Sequence, residues 1–196
     1  MNGRMNAEQI RIPTEEACRL LIADMGMLEN IVAHSRQVCR VALLIVDHLK
    51  PDYLQPNGLN RELILAAALL HDITKTRSFQ TGEDHAETGA QYLADLGYPE
   101  VGRIVGQHVR LDRYIASKSL AEEEIVNYAD KRVLHDRIVP LSERMGYILE
   151  KYGRGPERKG AILLLWEKTE ELEARLFAGL PFAPEDVSLL LAEGLP

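Results

Sequence analysis

Apolar positions recur at helical spacing along most of this chain, and no stretch alternates with the period of two expected of a strand. Pro13-Thr14-Glu15-Glu16 predicts a helix start, with Thr14 as the cap and acids in the first turn. That helix runs past Cys18, Leu20, Leu21 and Ile22 and stops near Gly26. A longer helix is predicted from about Leu28 to Leu49, where Ile31, Val38, Val41, Ile45 and Leu49 form a stripe that also carries His34. Residues 51–58 contain two prolines and an Asn-Gly pair, so they read as a loop. Asn60 caps the next helix, whose wholly apolar run Leu63–Leu70 leads directly into His71 and Asp72 and on to Lys75.

Further along, Thr76–Glu83 is polar and predicts a loop, after which Asp84 caps a helix that opens with His85 and reaches about Leu96. Gly97-Tyr98-Pro99 breaks the chain, and a short helix follows from about Glu100 to Val109, with His108 on its apolar side. Ser119 and Glu122 have the spacing of a capping box for a helix from Leu120 to about Ile138, with Asp130 among Val126, Val133 and Leu134. Pro140 opens a helix to about Tyr152, Gly153–Pro156 is a turn, and a long amphipathic helix continues to about Phe177. Glu185–Ala192 forms a last short helix. The expected fold is all-α. The turn at 153–156 divides it into residues 1–153, with a core at 28–138, and C-terminal helices at 154–196 that pack on that core or on a second chain, as in a homodimer.

Composition narrows the class. Ala, Leu, Ile and Glu are plentiful and aromatics make up only 6%, which favours helix. A net charge of −7 without a basic block argues against an extended nucleic-acid surface, while leaving room for a small anionic substrate met by local cations. Cys18 and Cys39, at no metal-ligand or redox spacing, read as reduced core thiols. The N-terminal residues lack the apolar segment of a secretory signal, and no apolar run approaches the ~18 residues a membrane span requires. The expectation is a cytoplasmic protein.

Six polar residues lie on apolar helix faces or at their ends: His34, His71, Asp72, His85, His108 and Asp130. They come from five predicted helices. A single histidine of this kind is usually a hydrogen-bonded core residue, and a single aspartate a cap or ion-pair partner. Buried charges persist when they are paired or bind a metal, and imidazoles with carboxylates suit first-row divalent ions.

The order His34, His71-Asp72, Asp130 resembles the signature of the HD superfamily of metal-dependent phosphohydrolases, and His71-Asp-Ile-Thr-Lys75 is similar to its HDIGK motif, with Thr74 in the glycine's place. The likeness spans about residues 28–138, and the extra histidines match the subgroup that holds two metals. The resemblance implies an HD-type helical bundle in which His34, His71, Asp72 and Asp130 hold one ion. Asp72 then bridges to a second ion held also by His85 and His108. It further implies hydrolysis of a phosphate ester or anhydride, with a nucleotide as the expected substrate, by a hydroxide bridging two ions of iron, manganese, nickel or cobalt.

In that pattern Asp72 and Lys75 are the catalytic candidates, and Lys75 is also a phosphate contact. Arg110, Arg113, Lys131 and Arg132 are further phosphate candidates, each equally readable as a solvated charge. His135-Asp136 and His48 read as surface residues, and Glu83 and Asp84 as a helix cap or as a proton-transfer aid. Two other functional classes stay open: a diiron oxygenase using the same ligand set, and a non-catalytic nucleotide-binding regulatory module.

Overall fold

The computed structural model describes residues 10–54, 58–112 and 119–193. Helix α1 (Glu15–Asp24) starts at Thr14, whose hydroxyl accepts from the Ala17 N–H at 3.2 Å. Helix α2 (Glu29–His48) buries Ile31, His34, Val38, Val41, Ala42 and Ile45, the stripe its spacing predicts. Helix α3 (Arg61–Leu70), capped by the Asn60 side chain on the Leu63 N–H, buries nearly its whole surface because α1, α2, α6 (Pro99–Val105) and α7 (Glu122–Asp130) pack around it.

Two stretches depart from the sequence reading. The helix expected to continue to Lys75 ends at Leu70, residues 71–74 form turns, and α4 (Lys75–Thr81) occupies the predicted loop. The polar run predicts a loop because this short helix packs no buried residue; Gly82, at φ +71°, ends it. The second departure lies after α7, which runs only from Glu122 to Asp130 instead of Leu120 to Ile138. Its cap is Ala121, whose N–H is accepted by Glu124, while Glu122 accepts the Asn60 N–H and ties α7 to the start of α3. Val133–Leu134 (β1) then pairs antiparallel with Arg137–Ile138 (β2) across a turn where His135 adopts φ +58°. Two-residue strands are too short to display a period of two, so Val133 and Leu134 passed for a helical stripe.

Helix α5 (His85–Asp95) is capped by Asp84, which accepts from the Ala86 and Glu87 N–H groups, and it packs on α6. Their approach is close enough that a Cβ on Gly102 would lie 2.5 Å from the Ala90 carbonyl oxygen. Helices α8 (Leu141–Tyr152), α9 (Pro156–Ala178) and α10 (Val187–Ala192) complete the described chain. Leu172, Leu176, Leu180, Val187 and Leu191 join the same apolar cluster as α2 and α3, so the C-terminal helices pack on the core. A buried polar network reinforces that junction: the Tyr128 hydroxyl donates to Glu173 at 2.5 Å, and Arg132 donates to Tyr128, to the Val139 carbonyl and to the Pro184 carbonyl. Arg132 therefore serves the junction and does not line the cavity over the histidines. Among the described residues no helix is long and apolar enough to cross a membrane.

Candidate metal centre

Adjacent residues in an α-helix point about 100° apart. His71 keeps helical dihedrals (φ −57°, ψ −32°) as the cap of α3, and in the turns that follow it His71 and Asp72 enter one cluster, both almost fully buried. α2 contributes His34, the start of α5 His85, the turn after α6 His108, and the last residue of α7 Asp130. All six candidates meet. Their ligand atoms form two groups, one of His34, His71 and Asp72 and the other of Asp72, His85 and His108, with the atoms of each group within 4.8 Å of one another. Asp72 belongs to both. Asp130 stands beside the first group, with Oδ1 3.0 Å from His34 Nε2 and 3.8 Å from His71 Nε2.

The histidines are aimed by the backbone. His34 Nδ1 meets the His135 carbonyl at 2.9 Å, His71 Nδ1 the Ala68 carbonyl at 2.8 Å, and His108 Nδ1 the Val105 carbonyl at 2.7 Å. A carbonyl only accepts, so each Nδ1 carries a hydrogen and each Nε2 is turned towards the cluster, where that of His34 donates to Asp130 Oδ1 at 3.0 Å. This anchoring is what metal-binding imidazoles need. The His135 carbonyl comes from the hairpin turn, which gives the unforeseen strands a function in the site.

Burial would raise the Asp72 carboxyl, but the charge of His71 and the close approach of the His108, His71 and His85 imidazoles outweigh it and hold the group well below the usual carboxylate range. Burial likewise opposes ionisation of Asp130, and Lys131, His34 and Arg144 overcome it. Burial pushes His108 down to about 4, so it is neutral at pH 7. His71 is pushed down by burial and drawn up further by Asp72, for a net rise. A divalent ion would compete with that proton.

His85 and His108 Nε2 lie 3.2 and 3.4 Å from Asp72 Oδ1, yet neither is aligned to bond it. Asp72 Oδ1 and His71 Nε2 are both buried without a hydrogen-bond partner. Orphaned buried polar atoms are costly. Two of them inside a His/Asp cluster of this donor chemistry fit a divalent cation.

A cavity of about 440 Å³ opens over this cluster, lined by His85, His108, Asp130 and the cations Lys75, Lys131 and Arg144. A larger groove of about 580 Å³, between α1, α2 and α3, contains none of the six. Lys75 Nζ lies 2.7 Å from Asp72 Oδ2, in reach of anything bound there. Lys131 is buried and donates to the His108 carbonyl and to Asp130, so its ammonium is already engaged. Arg110 is exposed and does not line the cavity, and Arg113 lies outside the described residues. Glu83 pairs with Arg77 and Asp84 caps α5, which accounts for both without a proton-transfer role. His48 bonds the Leu44 carbonyl, away from the site.

Sequence reasoning missed Arg144, whose Nη2 is 3.8 Å from Asp130 Oδ1. The available signal was the four-residue spacing of Arg144, Ile148 and Tyr152, which places them on one face of α8 towards the cavity.

The sequence profile described as HD domain matches residues 31–133. The chain is 30% identical over 149 residues to the tRNA (cytidine(56)-2'-O)-methyltransferase of Picrophilus torridus, an alignment covering 68% of this chain and 40% of that protein. It is also 32% identical over 72 residues to Ribonuclease Y of Aquifex aeolicus, covering 37% of this chain and 12% of the ribonuclease. Both curated relatives are thus much longer than the part this chain matches. A solved structure from an uncultured Thermotogales bacterium, described as a predicted HD superfamily hydrolase, shares 21% identity with a TM-score of 0.46 over 86% of this chain and 94% of that one.

Proposed function

The chain belongs to the HD domain family, and from that premise we propose that it is a metal-dependent phosphohydrolase acting on a phosphate ester or anhydride, with a small nucleotide as the expected substrate. The observation that carries this reading is the Asp72 carboxylate, shared by two His/Asp groups and left with an orphaned oxygen at the base of a cation-lined cavity. His34, His71, Asp72 and Asp130 would hold one divalent ion, and Asp72, His85 and His108 a second. Ions bound there supply Lewis acidity and lower the pKa of water.

The remaining work falls to the chain's own groups. The backbone carbonyls of Ala68, Val105 and His135 fix the imidazoles, so little reorganisation is needed when a ligand binds. Lys75, reaching in from the first turn of α4, neutralises phosphoryl oxygens. In the overall reaction a water oxygen bonds to phosphorus, the ester P–O bond breaks, and a proton ends on the departing oxygen. No side-chain nucleophile is required. The similarity to a ribonuclease supports phosphate-ester chemistry in general terms, while the net charge of −7 favours a small substrate over a polymer.

The test is hydrolysis of a panel of nucleotides, dinucleotides and cyclic nucleotides by manganese-loaded protein, read as release of inorganic phosphate from monoesters and anhydrides and of nucleoside monophosphate from dinucleotides and cyclic nucleotides, with Asp72→Asn as control. Release that the variant abolishes is the expected result. Oxygen consumption by iron-loaded protein, with none of the compounds hydrolysed, would overturn the reading in favour of an oxygenase.

A further inference from the structure

The cavity over the His/Asp cluster has two unlike halves. Its floor is charged, and its outer wall is built from Phe79, Val109, Ile148, Tyr152, Ile162 and Leu165. Three of these are large apolar groups left open at the mouth: Phe79 is 64% exposed, Tyr152 52% and Val109 42%. Exposed apolar side chains gathered around a cavity mark a binding surface more often than scattered ones do. The wall comes mostly from α8 and α9, outside the residues 31–133 that match the family.

The floor offers one cation that stands apart. Lys75 is bonded to Asp72, and Lys131 to Asp130 and the His108 carbonyl. Arg144 is only 14% exposed, sits 3.8 Å from Asp130 without a hydrogen bond to it, and its buried Nε has no partner. A guanidinium has five donors in a planar fork that matches two phosphoryl oxygens at once. Arg144 carries the one guanidinium among the described residues lining the cavity, and a single fork suits one phosphoryl group better than a polyphosphate chain.

We propose that this cavity takes a small phosphomonoester carrying a planar ring system, with Arg144 binding the phosphate and the wall formed by Phe79, Tyr152 and Ile162 selecting the ring. The inference rests on the phosphohydrolase reading and deepens it by assigning substrate selection to the C-terminal helices. A volume of about 440 Å³ lies towards the lower end of the range for small-molecule sites, roughly 300–1,000 Å³. Phe79 and Tyr152 present ring faces and edges, which favour a planar aromatic body over a sugar or glycerol.

The experiment compares kcat/KM of the manganese-loaded protein for naphthyl phosphate, a nucleoside 5′-monophosphate, glycerol phosphate and pyrophosphate. Calorimetric binding of inorganic phosphate and naphthyl phosphate is measured alongside. The ring-bearing monoesters are expected to exceed glycerol phosphate and pyrophosphate by about tenfold or more. Phe79→Ser with Tyr152→Ser, at exposed positions that leave the core intact, should raise KM for the ring-bearing esters alone and erase that preference. Arg144→Gln should weaken inorganic phosphate binding about tenfold with metal content unchanged, and Arg144→Lys should recover part of it. Equal turnover of all four compounds, or undiminished phosphate binding by Arg144→Gln, overturns the proposal. If nothing is hydrolysed the phosphohydrolase reading fails by itself, and the calorimetric preference for naphthyl phosphate, lost or kept in the variants, still decides this one.

Discussion

Asp72 faces histidines from two sides, and no other carboxylate among the described residues belongs to both groups. Its replacement therefore has a different consequence from loss of a peripheral ligand. Asp72→Ala should purify with neither ion, whereas His85→Ala should retain about one, because His34, His71 and Asp130 stay in place. Metal analysis after gel filtration distinguishes the two, and equal metal content in both variants would contradict the shared-carboxylate arrangement. The cysteines give a second prediction. Burial, with Glu15 adding to it, pushes both Cys18 and Cys39 up to about 12. Thiolate is the reactive form, so at pH 8 both should label slowly with a thiol reagent in the native protein and rapidly in denaturant. Fast native labelling would show that the helices around them open readily.

At this scale the sequence was most legible where it broke its own pattern. A histidine or aspartate on an apolar stripe is conspicuous, and His34, His71, Asp72, His85, His108 and Asp130 converge accordingly. Arg144 was illegible for the opposite reason. An arginine close to Glu143 on an amphipathic helix looks like a solvated charge, and only the packing of α8 over the cavity shows otherwise.

At the scale of elements, most helices follow from caps and spacing, as with Thr14, Asn60 and Asp84. The misreadings share a cause: local periodicity cannot register a turn whose reason lies elsewhere in the chain. The turns at 71–74 lead from α3 into α4 beside the histidine cluster, and the hairpin at His135 delivers a carbonyl to His34. The crossing of α5 and α6 can be tested directly. Gly102→Ala would force a Cβ to 2.5 Å from the Ala90 carbonyl oxygen, in the packing that sets His85 against His108. A loss of about 1–3 kcal/mol in urea unfolding is expected. An unchanged midpoint would mean the two helices can separate at little cost. Tyr128→Phe removes the hydroxyl that links Arg132 to Glu173 and should cost about 1 kcal/mol by the same measurement, since two hydrogen bonds are lost while the Arg132–Glu173 ion pair at 3.6 Å and the bonds from Arg132 to the Val139 and Pro184 carbonyls remain.

For the molecule as a whole, the glycine turn near residue 153 suggested a separable C-terminal part, and amphipathic spacing in α9 could not say what it packs against. The packing is internal. Leu172, Leu176, Leu180, Val187 and Leu191 fill the same core as the helices that carry the histidines. A chain ending at Gly153 should therefore lose its cooperative unfolding transition and bind a hydrophobic dye; a sharp transition in that fragment would show the first 153 residues to be self-sufficient.

The Tyr128–Arg132–Glu173 network has one more consequence, for the order in which a ribosome releases the chain. All six candidate ligands have been synthesised by residue 130, but the groups that brace Asp130's helix arrive only with Glu173 and the Pro184 carbonyl. At about 5–20 residues per second, the last of these follows Asp130 by on the order of several seconds. During that interval the histidines already have the carbonyls that aim them, but Asp130 sits on a helix that is not yet braced, so the centre is fully framed only once residue 184 has been made.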